Sequence, residues 1–124
     1  MDTRTALATT SVPLLYATVN NGRLQYSNGT TDLITTAANV IVTATPQFIS
    51  ICRTGGTTYL GVDGVIVGSA ADTTNYVQMP IRIGNAVNGA GGTTLHLIEF
   101  RLAIGSGSAI RTANFTVPTG LFPL

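Results

Sequence analysis

The stretch that decides the fold is RTGGTTYLGVDGVIVGS, residues 53 to 69. Two extended-type runs, residues 57 to 62 and 65 to 67, flank the dipeptide Asp63-Gly64. An Asp-Gly pair in this setting favours a type I′ turn, because both residues tolerate the positive φ values that the turn requires. The pattern therefore predicts a tight β-hairpin, whose twist and register give the neighbouring runs a template for pairing.

Two Asn-Gly pairs upstream predict further hairpins. Asn21-Gly22 and Asn28-Gly29 are about one strand length apart, and extended-type sequence flanks both. We therefore predict a three-stranded meander built from residues 12 to 19, 23 to 27 and 31 to 36. In the second run Leu24 and Tyr26 alternate with polar residues, as in a strand with one buried face.

The rest of the chain continues the all-β pattern, with no helical period in any segment. Further extended runs cover residues 39 to 45, 48 to 53, 79 to 83, 95 to 104 and 113 to 117. Short strands with turn signals every 8 to 12 residues or so are typical of an antiparallel β-sandwich or jelly roll. We predict an extended N-terminal arm (1 to 11), a β-sandwich domain (12 to 117) and an apolar C-terminal tail (118 to 124).

The composition favours a protein that belongs to an assembly. Of the 124 residues 44% are hydrophobic and only 9% are charged, and the net charge is +1. This balance argues against a disordered chain and against a nucleic-acid partner. It also protects poorly against association, because charged side chains are what keep sheet edges apart. No apolar run has the length of a membrane span or a signal peptide, so we expect a soluble protein made in a cytoplasm, with no membrane partner.

No residues have the spacing of an active site or a metal site. His96 is the only histidine and Cys52 the only cysteine, which disfavours a catalytic triad, a disulfide framework and a cysteine-built zinc site. A glycosidase needs two facing carboxyl groups, and the acids of this chain are isolated. We therefore predict no enzymatic activity, no catalytic residue, no cofactor and no metal, and we interpret Cys52 as a small buried side chain.

The isolated acids and tyrosines have local interpretations. Asp63 is assigned to its turn, whereas Asp32 and Asp72 are expected in polar connections. Asp72 and the loop at residues 85 to 92 could offer calcium a few oxygen ligands, but a solvated loop is the preferred interpretation. The tyrosines could stack on sugar rings if they were gathered at one rim, and otherwise pack in the sandwich; they are Tyr16, Tyr26, Tyr59 and Tyr76.

Three segments together resemble the laminin G-like, concanavalin A-like jelly-roll domain of bacteriophage virion proteins. They are ISICRTGGTTYLGVDGVIVGS (49 to 69), PIRIGN (80 to 85) and IEFRLAIGSGSAIRTANFTVPTGLFPL (98 to 124). The third segment is similar to the ending of the phage variant and is the most specific of the three. The resemblance covers residues 14 to 124 but only the latter part of a complete domain, because the family domain usually begins with further strands ahead of Val12.

The chain departs from the family pattern at three positions and in its first strands. Pro46, Gly61 and Ile98 stand where the family usually has an aromatic residue, a tyrosine and an acid. A sandwich that lacks its first strands exposes apolar faces and unpaired edges, which the arm or tail of another subunit could cover. A smaller self-contained sandwich is the other interpretation.

The resemblance implies a non-enzymatic virion protein. We expect a capsid decoration (cement) protein at the capsid surface, which forms a homo-oligomer, a trimer in the favoured case, and binds the major capsid protein. The expected partner-binding residues lie in the arm and the tail; they are Arg4, Leu7, Leu121, Phe122 and Leu124. The alternative hypothesis is a carbohydrate-binding module of a tail or fibre that recognises host surface glycans.

Overall fold

The computed structural model describes residues 14–18, 21–76 and 111–117. These residues are all-β, with six strands in two antiparallel three-stranded sheets and no helix among them. The first sheet consists, in order of pairing, of β1 (Leu14–Thr18), β2 (Arg23–Ser27) and β3 (Asp32–Thr35). The second consists of β4 (Ile49–Thr54), β5 (Thr57–Val62) and β6 (Val65–Ala71).

The central hairpin is confirmed. Val62 pairs with Val65, and between them Asp63 and Gly64 have φ values of 49° and 83°, as a type I′ turn requires. The Asp63 carboxylate also accepts a 2.8 Å hydrogen bond from the backbone N–H of Phe48, which fixes the turn against the start of β4. β6 continues to Ala71, beyond the predicted end of that run at residue 67.

The predicted meander is also confirmed as the first sheet. Gly22 and Gly29 have φ values of 57° and 90°, and each lies in the connection between two paired strands of this sheet. In the second connection the Asn28 side chain accepts hydrogen bonds from the backbone N–H groups of residues 30 and 31 at 3.0 and 2.9 Å. Local turn chemistry therefore determines where this sheet reverses.

The predicted strand at residues 39 to 45 is wrong. This segment forms turns, with Asn39 and Ala44 in the left-handed region at φ values of 61° and 60°. The Gln47 side chain accepts a hydrogen bond from Val42 N at 2.8 Å and donates one to Val40 O at 3.0 Å. It thus satisfies backbone groups that a neighbouring strand would otherwise satisfy.

The two sheets pack face to face along β3 and β6. Ile34 of β3 lies directly over Gly68 of β6, where a Cβ atom would come within 2.5 Å of the Ile34 Cγ2 atom. The buried apolar residues come from the inner faces of both sheets; they are Leu24, Tyr26, Ile34, Leu60 and Val62. Burial of Leu24 and Tyr26 was predicted from their alternation with polar residues. The described residues therefore form two packed layers with a shared core.

Residues 111–117 contain no strand and cross the end of the central hairpin. The Phe115 N–H donates a 2.8 Å hydrogen bond to the Gly64 carbonyl, and the Asn114 side chain accepts one of 2.8 Å from Ile66 N. The Phe115 ring meets Phe48 edge-on, with 5.8 Å between centroids. Residues 111–117 thus contact the central hairpin through backbone and side-chain hydrogen bonds.

Several predictions lie outside the described residues. They concern the arm, the tail, the loop at 85 to 92 and the extended runs at 79 to 83 and 95 to 104. In the part of the chain that the structure describes, no helix is long and apolar enough to cross a membrane.

Candidate functional site

Asp72 lies just after β6, in a connection as predicted, but it is buried and not solvated. It is 2% exposed, and its backbone N–H donates a 2.7 Å hydrogen bond to the Gly56 carbonyl. A buried carboxylate is stable only when charged or hydrogen-bonding groups compensate for lost hydration. The prediction of a solvated loop is wrong because those compensating groups come from distant parts of the chain.

Three hydroxyl groups donate to a single oxygen of Asp72. Tyr26 of β2, Thr58 of β5 and Tyr76 approach the Oδ2 atom at 2.8, 2.9 and 2.7 Å. The Oδ1 atom accepts a hydrogen bond of 3.2 Å from Thr74 N. Because Tyr26 and Thr58 belong to different sheets, the carboxylate joins the two layers.

Arg53 of β4 closes this network at its partly exposed end. Its Nε and Nη2 atoms donate to the Asp72 carbonyl at 3.0 and 2.8 Å, and Nη2 also donates to the Thr74 carbonyl at 2.8 Å. The Nε atom is 3.5 Å from Asp72 Oδ2, and the guanidinium lies 5.0 Å from the Tyr76 ring centroid. We call Asp72, its three hydroxyl donors and Arg53 the Asp72 network; the donors are Tyr26, Thr58 and Tyr76.

The protonation states of Asp72, Tyr26 and Tyr76 do not change around neutrality. Burial alone would raise the pKa of Asp72, but the hydrogen bonds from Tyr76, Tyr26 and Thr58 outweigh it and lower the pKa to about 2. Burial is the main cause that raises the pKa of Tyr26 and of Tyr76 above the usual tyrosine value. The carboxylate is therefore charged and both tyrosines are neutral at pH 7, which suits a clamp between the sheets.

The second feature is an apolar surface at the edge of each sheet, away from β3 and β6. In the first sheet Leu15 pairs with Tyr26, and directly paired residues point to the same face of a sheet. Tyr26 faces the core and is 2% exposed, yet Leu15 beside it is 41% exposed. On the inner face of β1, the Leu15 side chain is therefore left open to solvent.

The inner face of β4 shows the same contrast. Ile49 pairs with Val62 and Ile51 with Leu60. The two β5 residues are 6% and 0% exposed, whereas Ile49 and Ile51 are 43% and 47% exposed. The core thus ends at β5, and two isoleucines that point inwards lie in contact with water.

Together Leu15, Ile49 and Ile51 define what we call the open side of the two-layer structure. Among residues 14–18, 21–76 and 111–117, β1 pairs only with β2 and β4 only with β5. Both strands therefore present an unpaired backbone edge as well as apolar side chains within this part of the chain. Surfaces that combine these two properties mark sites of strand addition or protein association.

The three tyrosines whose side chains the structure describes, Tyr26, Tyr59 and Tyr76, are not gathered at one rim. Tyr26 and Tyr76 meet, with 2.6 Å between their hydroxyl oxygens, but the Tyr26 ring is buried and cannot stack on a sugar. Tyr59 pairs with Cys52 on the opposite face of β5 from Leu60. Cys52 is half-buried, less than predicted, because it lies on that outer face.

The expected partner-binding residues lie outside the described residues; they are Arg4, Leu7, Leu121, Phe122 and Leu124. The same holds for His96. In the described part of the chain no three His, Cys, Asp or Glu side chains are close enough to hold a metal ion. The sequence predicted exposed apolar faces and unpaired edges, but not that they would lie at β1 and β4. The alternation of Ile49 and Ile51 with Ser50 and Cys52 indicates one apolar face of a strand, and does not show whether that face is covered.

Comparison of the sequence with protein-family models, with characterised proteins and with solved structures returns no match.

Proposed function

We propose that this chain is a non-enzymatic virion protein of a bacteriophage, a decoration protein that binds the capsid surface and stabilises the shell. The observation that carries the proposal is the open side, where Leu15, Ile49 and Ile51 are 41%, 43% and 47% exposed on inward-pointing positions. Apolar area in contact with water costs about 25 cal/mol per Å², and a neighbouring subunit that covers it removes this cost. Association is therefore favourable without any chemical step.

The proposed fold is the jelly roll of the laminin G-like, concanavalin A-like domains that the sequence resembles. Two of the three resembling segments meet in the folded chain, through the 2.8 Å hydrogen bond from Phe115 N to the Gly64 carbonyl. This contact supports an interpretation in which the segments belong to one domain. A jelly roll has two packed sheets whose edges must be paired or protected, and the open side is where this chain would meet a partner.

Stabilisation of the shell would work by mass action. A protein that binds the assembled capsid but not its separated subunits stabilises the assembly by RT ln(1 + [L]/Kd), about 2.7 kcal/mol at a free concentration of 100 Kd. A symmetric homo-oligomer, most simply a trimer, multiplies this effect because each copy reaches a different major capsid subunit. With a net charge of +1, the contacts would be short-range and apolar.

The Asp72 network supports this role mechanically. The sheets pack along β3 and β6, and Asp72 adds a second connection by accepting hydrogen bonds from Tyr26 and Thr58. The two layers can therefore stay joined while partners bind at the open side. A decoration protein needs this rigidity, because a partner that separated the sheets would lose part of its binding free energy.

The test is localisation of the protein on purified particles of the phage whose genome encodes it. Cryo-electron microscopy is expected to show copies at the capsid surface, over the junctions between major capsid subunits. Density at a tail or fibre, together with saturable binding to host polysaccharide, would instead support the carbohydrate-binding hypothesis. Particles that lack the protein altogether would refute the virion proposal.

A further inference from the structure

We propose that the open side of one protomer binds residues 1–13 of a second copy of this chain. This inference rests on the proposed function and deepens it, because it names the partner that covers Ile49 and Ile51 in the oligomer. The binding mode is strand addition, in which backbone hydrogen bonds to the β4 edge provide affinity and apolar side chains cover the isoleucines.

The position of residues 1–13 in the chain favours them as the occupant. They lead directly into Leu14, the first residue of β1, and β1 carries Leu15 at the open side. Thirteen residues can span about 45 Å when extended, at roughly 3.3–3.6 Å each. Pairing along the six residues of β4 needs only about 20 Å, so enough length is left to reach a neighbouring molecule.

The sequence of this segment favours a second copy over the same chain. To pair with its own β1, the segment would have to reverse direction just before Leu14. Residues 3 to 13 contain no Gly, Asn or Asp, the residues that tight hairpin turns require.

The composition of the segment fits the surface it would cover. Arg4 and Asp2 carry its only charged side chains, and the run Ala6-Leu7-Ala8 is apolar and small. Leu7 is therefore the natural side chain to lie over Ile49 and Ile51, which are 43% and 47% exposed. Arg53 on the same face of β4 is already engaged with the Asp72 and Thr74 carbonyls, so its charge does not oppose an apolar strand.

Disulfide trapping between two differently tagged proteins tests the inference. In a Cys52→Ser background, one protein carries Leu7→Cys and the other Ile51→Cys; the two are mixed and oxidised. A disulfide forms only when Cα atoms come within about 7 Å, and each protein has one cysteine, so a mixed dimer can arise only between chains. We expect a mixed dimer that reduction abolishes. The matched control replaces Ile51→Cys by Ser69→Cys, an exposed position on the outer face of β6, and is expected to give none.

The other occupants of the open side are outcomes of the same experiment. If residues 77–110 of the same chain or a capsid segment cover Ile51, no mixed dimer forms and the inference is overturned. A mixed dimer of equal yield with Ser69→Cys, or a wild-type protein that sediments as a monomer, also overturns it. Ile49→Cys replaces Ile51→Cys if that variant does not fold, as judged by circular dichroism.

The inference and the proposed function fail separately. If no mixed dimer forms but the protein is present on the capsid, the binding of residues 1–13 to a second copy is refuted and the decoration role stands. If a mixed dimer forms but purified particles lack the protein, the binding between copies stands and the decoration role is refuted.

Discussion

The Tyr26 hydroxyl donates a 2.8 Å hydrogen bond to the Oδ2 atom of Asp72, a residue 46 positions later in the chain. It connects β2 in the first sheet to the segment that follows β6 in the second. Because Asp72 is 2% exposed and Tyr26 is equally buried, water does not compete for this bond. The bond joins the two layers independently of the packing between Ile34 and Gly68.

Replacement of Asp72 by asparagine tests how much the Asp72 network stabilises the fold. Asp72→Asn removes the charged acceptor of three hydroxyl groups, and one amide cannot replace it for all of them. We expect a loss of about 3 kcal/mol in the free energy of unfolding, measured by urea denaturation. The control is Asp32→Asn at an exposed carboxylate that accepts a hydrogen bond from Gln25 at 3.1 Å, where a change within about 0.5 kcal/mol is expected. Equal losses would contradict the role of the Asp72 network.

The acid limb of the stability curve provides a second test. Asp72 has a pKa of about 2 in the folded protein, against an ordinary value of 3.8, so the folded state binds the proton less readily than the unfolded state. Its contribution, about 2 kcal/mol, is present above pH 4 and is lost as the pH falls from about 4 to about 2. Urea midpoints of the wild type and Asp72→Asn should converge over this window. Parallel curves would show that Asp72 does not cause the acid loss.

The alkaline limb tests the tyrosines. The pKa of Tyr26 is raised by burial, by the adjacent Tyr76 hydroxyl and by the hydrogen bond that Tyr26 donates to Asp72, so the folded protein retains this proton where the unfolded chain releases it. Stability from Tyr26 is therefore present below about pH 10 and is lost as the pH rises above that value. In Tyr26→Phe this loss should be smaller than in the wild type, measured as unfolding free energy between pH 9 and 11. An unchanged alkaline loss would exclude Tyr26 as its source.

The fold was predictable where local turn chemistry determines it. The dipeptides at Asn21-Gly22, Asn28-Gly29 and Asp63-Gly64 predict three reversals, and all three are present. Their signal is complete within a few residues, because positive φ and short side chains decide the turn. The strand predicted at 39 to 45 is wrong because β-branched composition favours a strand only where a partner strand can pair with it. Here the Gln47 side chain forms hydrogen bonds with the backbone of Val40 and Val42 instead.

The Asp72 network was not predictable from the sequence. Asp72 is followed by polar residues and looks like part of a solvated loop, and its partners Tyr26 and Thr58 lie 46 and 14 residues away. No periodicity relates these positions, because tertiary packing alone brings them together. The exposure of Ile49 and Ile51 also depends on tertiary structure, because it is set by how far the first sheet extends over the second.

A glycine pair tests the contact between the hairpin and residues 111–117. Gly55 and Gly64 have φ values of +56° and +83°, but a Cβ atom at Gly55 meets nothing within 4 Å, whereas one at Gly64 collides with the Phe115 carbonyl. Gly55→Ala should therefore cost only the backbone term of about 1 kcal/mol. Gly64→Ala should cost about 3 kcal/mol in urea denaturation, because it also displaces Phe115. Equal costs would mean that Phe115 does not hold this position in solution.

Polar substitution at the open side tests its role in association. Ile49→Ser with Ile51→Ser removes apolar surface that is already exposed in the described chain, so the secondary structure seen by circular dichroism should stay unchanged. We expect weaker self-association by sedimentation equilibrium and lower occupancy on capsids, because the apolar contact is lost. Val42→Ser, at a 50% exposed residue in the turn segment outside both sheets, is the control and should change neither. Wild-type association in the double variant would contradict the role of the open side.

The most direct test of the account is a cryo-electron microscopy map of the intact virion that resolves side chains around β4. We predict that density from a neighbouring chain covers Ile49 and Ile51, with a strand paired to the edge of β4 that faces away from β5. A map in which the protein is bound to the shell but Ile49 and Ile51 face solvent would contradict the claim that the open side is what assembly covers.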